Sequence, residues 1–195
     1  MMHTADMLKA FAAYREDAIV VPGRGGRYWT ELTTRPNLDV PVGDPAMGGH
    51  AGFALGLALA RPDKKVVLFD SEGDILMSLG MLVTIAEQRP ANFYHFLIDN
   101  GCYATTGGQP VPNAELVAYD VIARGAGYPR AFAFSGLEQF SVDLPDILDK
   151  PGPVFIAAKV VPEIENAPIG GRRRWQTRTR DQVIKDLRTE LGIRR

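Results

Sequence analysis

The chain alternates short apolar runs with stretches whose apolar residues recur at helical spacing. The runs predict buried strands at residues 18–21, 66–69, 93–98, 131–134 and 154–160, and also at 38–42 in spite of Pro41. The helical spacing predicts helices at residues 6–14, 47–60, 76–87, 115–127, 137–148 and 180–191. This regular alternation predicts an α/β fold, a three-layer, mostly parallel open sheet with helices on both faces.

Sheets of this kind bind ligands in the loops beyond the carboxyl ends of their strands. The loops to search are therefore those that follow Val21, Val42, Phe69 and Ile98. The loop at 99–113 is rich in glycine and threonine, which indicates a functional loop more than a simple connection.

Length and charge limit the classes of function. The 195 residues suit a single domain, 1–195, with a basic C-terminal loop and helix at about 168–195. With 22 basic and 23 acidic residues the net charge is -1, so composition gives no support for nucleic-acid binding. Residues 172–195 carry nine basic and three acidic side chains, which leaves about -7 for the rest. The basic cluster at 172–174 fits a solvated terminal segment, and anion or partner binding stays open.

Membrane and secretory signals are missing from the pattern. The longest apolar run, 51–60, is shorter than the roughly 18 residues of a transmembrane helix, and the polar first residues lack the apolar core of a signal peptide. Cys102 is the single cysteine, so an internal disulfide and a thiolate zinc site are both excluded. We therefore expect a cytoplasmic protein without membrane contacts.

Two of the loops carry acidic or amide side chains directly after neighbouring strands. Residues 70–74 read Asp-Ser-Glu-Gly-Asp, and residues 99–103 read Asp-Asn-Gly-Cys-Tyr. Oxygen ligands of this kind suit Mg²⁺, which keeps positions free for water or phosphate oxygens. Gly73 opens a predicted helix and offers backbone N–H groups to an anion. Either loop alone is also explained by ordinary helix capping and turn formation.

The order of the motifs is more specific than any one of them. Residues 47–58 hold Met-Gly and a small-residue helix, 66–80 read VVLFDSEGDILMSLG, 97–103 read LIDNGCY, and 106–109 read TGGQ. In these segments the chain resembles the diphosphate-binding domain of thiamine diphosphate enzymes, across residues 5–165. The resemblance is strongest to the small β-subunit type of sulfopyruvate decarboxylase and the C-terminal half of phosphonopyruvate decarboxylase.

The resemblance implies a set of cofactor contacts. Glu72, Asn100 and the carbonyl of Cys102 would hold Mg²⁺, and the Cys102 thiol would be incidental. The backbone N–H groups of Gly73 and Asp74 would face the diphosphate, and Tyr103 would cover it. The backbone of Pro45 and Met47 would contact the aminopyrimidine ring, and the Met47 side chain would bend the cofactor. Without the surrounding motif, the Met47 side chain would be explained as an ordinary part of the hydrophobic core.

The chain also departs from the family pattern. Residues 71–74, Ser-Glu-Gly-Asp, stand where the family has Gly-Asp-Gly-Ser. Glu72 is one methylene longer than aspartate, and Ser71 lacks the freedom of glycine. Asp74 would repel a diphosphate unless its side chain points away, caps the helix or touches the metal.

The implied function is incomplete in one chain. The family keeps its catalytic glutamate on another domain, for which this chain is too short, so we expect a partner subunit to supply it. The reaction would be decarboxylation of a small 2-oxoacid, or carboligation, with the cofactor as electron sink.

His50 is a candidate proton carrier, although packing at a helix start explains it as well. Thr105, Thr106 and Gln109 are candidates for the substrate side, or are simple turn residues.

Two other functions are compatible with parts of the sequence. The turn at 23–27 begins like a dinucleotide-binding Gly-x-Gly fingerprint but has Tyr28 at the third glycine, which disfavours a nucleotide-dependent oxidoreductase and leaves an anion contact or scaffold. The second alternative is a catalytically impaired homologue that serves as a binding or interaction subunit, with Glu72 as the mark of lost catalysis.

Overall fold

The computed structural model describes residues 2–41, 47–168 and 176–193, and its strands are short and mostly buried. In chain order they are β1 (Ile19–Pro22), β2 (Val66–Ser71), β3 (Phe93–Asp99), β4 (Cys102–Tyr103), β5 (Gln109–Pro110), β6 (Arg130–Phe134) and β7 (Val154–Lys159). Five of these described strands form a parallel sheet in the order β1-β2-β3-β7-β6, and β4 and β5 form a small antiparallel pair. The predicted parallel sheet is confirmed.

Helices cover both faces of the sheet. They are α1 (Thr4–Ala12), α2 (Trp29–Leu32), α3 (His50–Ala60), α4 (Glu72–Met77), α5 (Met81–Gln88), α6 (Tyr119–Ala126), α7 (Leu137–Asp149) and α8 (Arg180–Glu190). One core cluster joins the sheet to α3, α5, α6 and α8, and the other joins it to α1, α2 and α7. Because strand residues point alternately to the two faces, Val66 and Leu68 enter the first cluster while Val67 and Phe69 enter the second. The three-layer α/β prediction is therefore confirmed.

Aromatic side chains fill the second cluster under the functional end of the sheet. The Phe11 ring lies 5.2 Å from Phe69 and 5.5 Å from Phe96, both in edge-to-face geometry, and 5.5 Å from Trp29. Such contacts add to the burial of the rings and hold α1 and α2 against β2 and β3.

One predicted strand and one predicted helix differ from the structure. Residues 38–41 form no strand among the described residues: Pro36–Leu38 is a 3-10 turn, and Asp39 makes an isolated bridge to Val20. Pro41 lacks an N–H for a continued ladder, and Val42 lies outside the described residues. The predicted helix at 76–87 is two helices, because Ser78 leaves helical geometry and its hydroxyl donates to the Gly48 carbonyl at 2.6 Å.

Two helices begin later than predicted. Residues 47–49 form a turn before α3, and residues 115–118 precede α6. The Asn113 carbonyl accepts from the N–H groups of Leu116 and Val117, both at 3.0 Å, so this stretch is a turn of its own. The remaining predicted strands and helices agree with the structure to within two residues.

The C-terminal helix is tied to the chain before residue 42. Thr179 and Gln182 form a capping box at its start. Arg178 donates to the carbonyls of Pro36 at 2.6 Å and Asp39 at 2.8 Å. The basic cluster at 172–174 lies outside the described residues. Within the described ranges, no helix combines the length and apolar character that a bilayer crossing requires.

A buried ion pair anchors the same segment from the other side. Arg15, 3% exposed, lies 3.0 Å from Oδ1 of Asp39, which also accepts from the Trp29 indole at 2.9 Å. The pair links the loop after α1 to the stretch that leads toward residues 42–46.

We expect Arg15→Ala to lower the free energy of unfolding by about 3–5 kcal/mol, because it leaves the Asp39 carboxylate buried without its partner. Lys64→Ala is the control, since it breaks the more exposed pair with Asp17 and should cost about 1 kcal/mol or less. Urea unfolding of the three proteins measures both effects, and equal losses would contradict the assignment.

Candidate functional site

A cleft of about 290 Å³ lies at the carboxyl ends of β1, β2 and β3. Its walls come from the glycine-rich turn after β1, the start of α4, the loop after β3 and the segment at 161–163. Residues that line it include Arg24, Gly25, Met47, Ser71, Gly73, Asp74, Asn100, Cys102, Tyr103, Thr105 and Thr106. Three of the four loops that the sequence singled out thus meet at one place, and most of the fourth lies outside the described residues.

The register of two strands brings Glu72 to the loop after β3. Ser71 pairs with Ile98 at the end of the parallel ladder, so the residues that follow both strands emerge side by side. Oε1 of Glu72 accepts from the backbone N–H of Asn100 at 3.0 Å and of Cys102 at 3.2 Å. Glu72 therefore ties the start of α4 to the Asn100 loop.

The second oxygen of Glu72 lies in the interior of the protein. The side chain is 0% exposed, and its Oε2 has no hydrogen-bond partner among the residues that the structure describes. Burial, with a smaller contribution from the Asp99 carboxylate, raises the pKa of Glu72 to about 7 against the backbone donors that lower it. A positive charge beside Oε2 would therefore stabilise the ionised form of this carboxylate.

Asn100 and Cys102, which bond Glu72 through their backbone N–H groups, also line the cleft. Oδ1 of Asn100 accepts from the Cys102 N–H at 2.9 Å and from its Sγ at 3.3 Å. Burial raises the pKa of the Cys102 thiol, so the thiol stays protonated and makes no thiolate ligand. Oε1 of Glu72 and Oδ1 of Asn100 share the Cys102 N–H, so the carboxylate and the amide oxygen lie close together, and both are oxygen donors of the kind that a hard divalent cation takes.

Tyr103 closes over the first turn of α4. A methyl group added at Gly73 would lie 3.0 Å from Cδ1 and 3.1 Å from Cε1 of the Tyr103 ring. Only glycine lets the ring approach the helix start this closely, and both residues line the cleft. The predicted role of Tyr103, to cover the diphosphate, stays a prediction.

The Asp74 carboxylate is bonded within the protein. Oδ1 accepts from the Gly48 N–H at 3.0 Å, and Oδ2 lies 3.3 Å from the Ser71 hydroxyl. The Asp74 N–H donates to Ser71 Oγ at 3.3 Å, so a diphosphate would have to share or replace this long bond. Both carboxylate oxygens therefore have polar neighbours before any ligand binds.

His50 is the counter-ion of that carboxylate. It is the first residue of α3 and 3% exposed, and its Nδ1 lies 3.2 Å from Oδ2 of Asp74, off the axis of a straight hydrogen bond. Burial lowers the pKa of His50, but Asp74, with Asp70 behind it, outweighs burial and raises the net value. His50 is not among the cleft-lining residues, so its placement favours packing and charge compensation.

Two hydrogen bonds hold the turn that carries Met47, one at the N–H and one at the carbonyl of Gly48. Asp74 takes the Gly48 N–H, and Ser78 donates to the Gly48 carbonyl. Gly48 has φ +73, and a methyl group there would meet Met77 Cβ at 3.0 Å, so glycine is required. Met47, 53% exposed, lines the cleft. Pro45, the other predicted pyrimidine contact, lies outside the described residues.

The glycine-rich turn after β1 forms one wall of the cleft. The sequence predicted only an anion contact or a scaffold role for this turn. A methyl group at Gly25 would lie 2.3 Å from the Asp70 carbonyl oxygen, and one at Gly23 would lie 2.6 Å from that of Phe69. The close packing places Arg24 and Arg27 on the cleft. Arg27 bonds Glu163 at 2.8 Å, which closes that end. The position of the turn, directly after a predicted strand, was the available signal.

Further buried groups lie behind the site. His95 Nε2 lies 3.2 Å from Oδ2 of Asp70, and its Nδ1 lies 3.2 Å from the Tyr128 hydroxyl. Nothing in the spacing of these three residues indicated the chain of contacts. Of the candidate substrate-side residues, Thr105 and Thr106 line the cleft, whereas Gln109 is exposed on β5 and does not.

We expect His50→Asn to lower the free energy of unfolding by about 3 kcal/mol, because it leaves Asp74 buried without its cation. Because the pKa of His50 is raised on folding, the stabilisation by the ion pair is fully present below pH 6.5 and is lost as the pH rises through the raised value. Because the pKa of Asp74 is lowered on folding, the same stabilisation is present above pH 3.8 and is lost as the pH falls through the lowered value. The deficit of the variant should therefore be largest between pH 3.8 and 6.5.

Urea unfolding from pH 3 to pH 9 measures this profile. His3→Asn is the control, since this histidine side chain is 56% exposed and its replacement should change stability by about 0.5 kcal/mol or less. A deficit of His50→Asn that is the same at every pH would show that the pair is not ionic.

Comparison with known proteins agrees with this geometry. Residues 27–158 match the family model described as thiamine pyrophosphate enzyme, C-terminal TPP binding domain. The sulfopyruvate decarboxylase subunit beta of Methanothermobacter thermautotrophicus is 32% identical over 173 residues, which cover 87% of this chain and 88% of that protein. The phosphonopyruvate decarboxylase of Streptomyces viridochromogenes is 33% identical over 81% of this chain, but the chain spans 39% of that protein.

A solved structure shows the same fold. The X-ray structure of a protein described as a thiamin diphosphate-dependent enzyme from Mycobacterium smegmatis superposes with a TM-score of 0.70 at 21% identity, over 83% of this chain and 32% of that one. Because the family model matches more than half of the chain, including β2, β3 and β6, the chain belongs to the thiamine pyrophosphate enzymes and carries their C-terminal cofactor-binding domain.

Proposed function

We propose that the chain is the thiamine diphosphate- and Mg²⁺-binding subunit of a two-component 2-oxoacid decarboxylase similar to sulfopyruvate and phosphonopyruvate decarboxylases. The observation that carries the proposal is the buried Oε2 of Glu72, which has no hydrogen-bond partner among the described residues and belongs to a carboxylate bonded to the N–H of the cleft residue Asn100. An oxygen of this kind would serve as the anionic ligand of the metal. The relatives named as subunit beta support a two-component enzyme.

Glu72, Asn100 and the carbonyl of Cys102 would hold the cation. The longer Glu72 side chain is accommodated because its Oε1 is already fixed by two backbone N–H groups, which leaves Oε2 to the metal. Oδ1 of Asn100, which accepts from the Cys102 N–H and from the Cys102 thiol, would exchange the weak thiol contact for the cation. The departure from Asp to Glu therefore keeps the oxygen ligands that Mg²⁺ prefers.

The anion would lie against the start of α4. Gly73 and Asp74 would face the diphosphate with their N–H groups, and Tyr103 would shield it from water. Arg24 lines the same cleft and adds positive charge there. The Gly48 N–H and His50 would offset the negative charge of the Asp74 carboxylate, which reduces its repulsion of the anion.

Thiamine diphosphate, when bound, supplies an electron sink for the loss of CO₂ from a 2-oxoacid. Met47 and the backbone of Pro45 would orient the pyrimidine end, and a partner subunit would contribute the catalytic glutamate. His50 would act on protons only through Asp74, since its ring is buried away from the cleft. The cytoplasmic location expected from the single cysteine belongs to the same proposal.

Production of this chain together with its partner subunit tests the activity. We expect the pair to retain thiamine diphosphate at millimolar Mg²⁺ and to release CO₂ from at least one member of a panel of 2-oxoacids. The panel includes plain, sulfonate-bearing and phosphonate-bearing acids, because basic cleft residues accept each of these anions. A pair that retains no cofactor would refute the proposal and favour the impaired homologue.

Substitution of the ligand set tests the metal assignment. Glu72→Ala and Asn100→Ala should each lower cofactor affinity of the pair by more than about 100-fold, above the usual effect of losing an outer contact. Cys102→Ser should leave retention nearly intact, because only its carbonyl is used. The bound thiamine diphosphate is measured after desalting in Mg²⁺. A large loss in Cys102→Ser would contradict the assignment of its carbonyl.

A further inference from the structure

Three buried polar side chains meet beside the cleft. His50, Asp70 and Asp74 are 3%, 1% and 3% exposed. They come from separate elements, since His50 begins α3, Asp70 lies near the end of β2 and Asp74 lies in the first turn of α4. One imidazole nitrogen and one carboxylate oxygen of each aspartate all lie within 4.8 Å of one another. Small side-chain rotations would therefore bring all three residues to the bonding distance of a single ion.

A ring nitrogen of His50 faces this cluster without a hydrogen bond. Nδ1 is buried and has no hydrogen-bond partner among the described residues, although it lies 3.2 Å from Oδ2 of Asp74. Two ligands of a tetrahedral zinc ion, each about 2.1 Å from the metal, are about 3.4 Å apart. The two atoms thus have nearly the separation of ligands that share an ion, and they lack the alignment of a direct hydrogen bond.

Groups outside the cluster hold both carboxylates in place. Oδ1 of Asp74 accepts from the Gly48 N–H at 3.0 Å, which leaves Oδ2 for an ion. Oδ2 of Asp70 lies 3.2 Å from Nε2 of His95, and Nδ1 of His95 lies 3.2 Å from the Tyr128 hydroxyl. Outer contacts of this kind orient the ligands of a metal site and increase its affinity.

The charges around the cluster favour a cation. Burial lowers the pKa of His50, but the carboxylates of Asp74 and Asp70 outweigh burial and the weaker effect of Arg24, and they raise it. The cluster therefore stabilises a positive charge at the imidazole. A proton supplies this charge in the metal-free protein, which is the His50–Asp74 ion pair described above. A divalent ion would supply it in place of the proton, because buried carboxylates are either paired or bound to a metal.

We propose that His50, Asp70 and Asp74 bind a divalent transition-metal ion of the Zn²⁺ class, at a site separate from the Mg²⁺ ligands of the cofactor. One imidazole and two carboxylates suit such an ion, whereas Mg²⁺ takes oxygen ligands. Ser71 and Asp74 line the cleft, so the ion would enter from the cleft and a water would complete its ligands. The ion would bind whether or not thiamine diphosphate does, because it uses none of the proposed Mg²⁺ ligands.

Titration with Zn²⁺ tests the site. The full chain is stripped of metal with a chelator and then kept in millimolar Mg²⁺, which occupies sites made of oxygen ligands alone. Calorimetry should show about one Zn²⁺ bound per chain. His50→Asn and Asp74→Ser should each lower the Zn²⁺ affinity by more than about 100-fold, beyond the usual effect of losing an outer contact of a metal site. Serine is the residue of the family pattern at position 74, and circular dichroism checks the fold of both variants.

Two matched variants separate this site from other ligands of the chain. His3→Asn removes a histidine whose side chain is 56% exposed and lies 3.7 Å from Glu163, and it should leave the Zn²⁺ affinity unchanged. Glu72→Gln removes the proposed Mg²⁺ ligand and should also leave the Zn²⁺ affinity unchanged. Zn²⁺ binding that is lost in His3→Asn or in Glu72→Gln, but kept in His50→Asn, would overturn the assignment.

Anomalous X-ray diffraction from crystals of the Zn²⁺-loaded wild-type chain locates the ion without any substitution. A peak between His50, Asp70 and Asp74 would confirm the site even where a variant fails to fold. Failure of the chain to bind Zn²⁺, or a peak at other residues alone, would overturn the inference. Neither measurement uses thiamine diphosphate or decarboxylase activity, so a failure of the proposed function would leave both results unchanged.

Discussion

The parallel pairing of β2 with β3 is the constraint on which the cleft depends. Its register places Ser71 beside Ile98, so Glu72 and Asn100, 28 residues apart in sequence, emerge at the same height. Parallel strands end at one edge of a sheet, and a slip of one residue would turn every side chain of β2 to the other face. The aromatic cluster under Phe69 and Phe96 resists such a slip, because each ring is buried among the others.

The unusual residues at 72 and 74 are accommodated by different means. Glu72 is longer than the family's aspartate, and two backbone N–H groups take up one of its oxygens. Asp74 brings a negative charge that the family's serine does not, and His50 and the Gly48 N–H hold that charge inside the protein. Ser78 bonds the carbonyl of the same Gly48, so two hydrogen bonds tie the Met47 turn to α4 and to the residue that ends it.

Much of the fold and part of the site follow from local pattern. Buried parallel strands appear as continuous apolar runs, and residues 66–69 and 93–98 were recognisable for this reason. The break between α4 and α5 was not, because Ser78 leaves the helix to reach a carbonyl that is 30 residues away in sequence. The Asp74–His50 contact and the Asp70–His95–Tyr128 contacts likewise join distant positions. Spacing along the chain carries no information on which of several buried polar groups will meet.

The two walls of the cleft differ in their tolerance of change. Gly23 and Gly25 lie so close to the carbonyls of β2 that no side chain can be added without moving the sheet. The opposite wall at Thr105 and Thr106 belongs to a short turn at the rim, where Thr106 is exposed and only its own loop depends on it. The depth of the cleft is therefore fixed by the packing of the glycine turn on β2, whereas substitutions in the threonine turn can reshape the rim without moving the sheet.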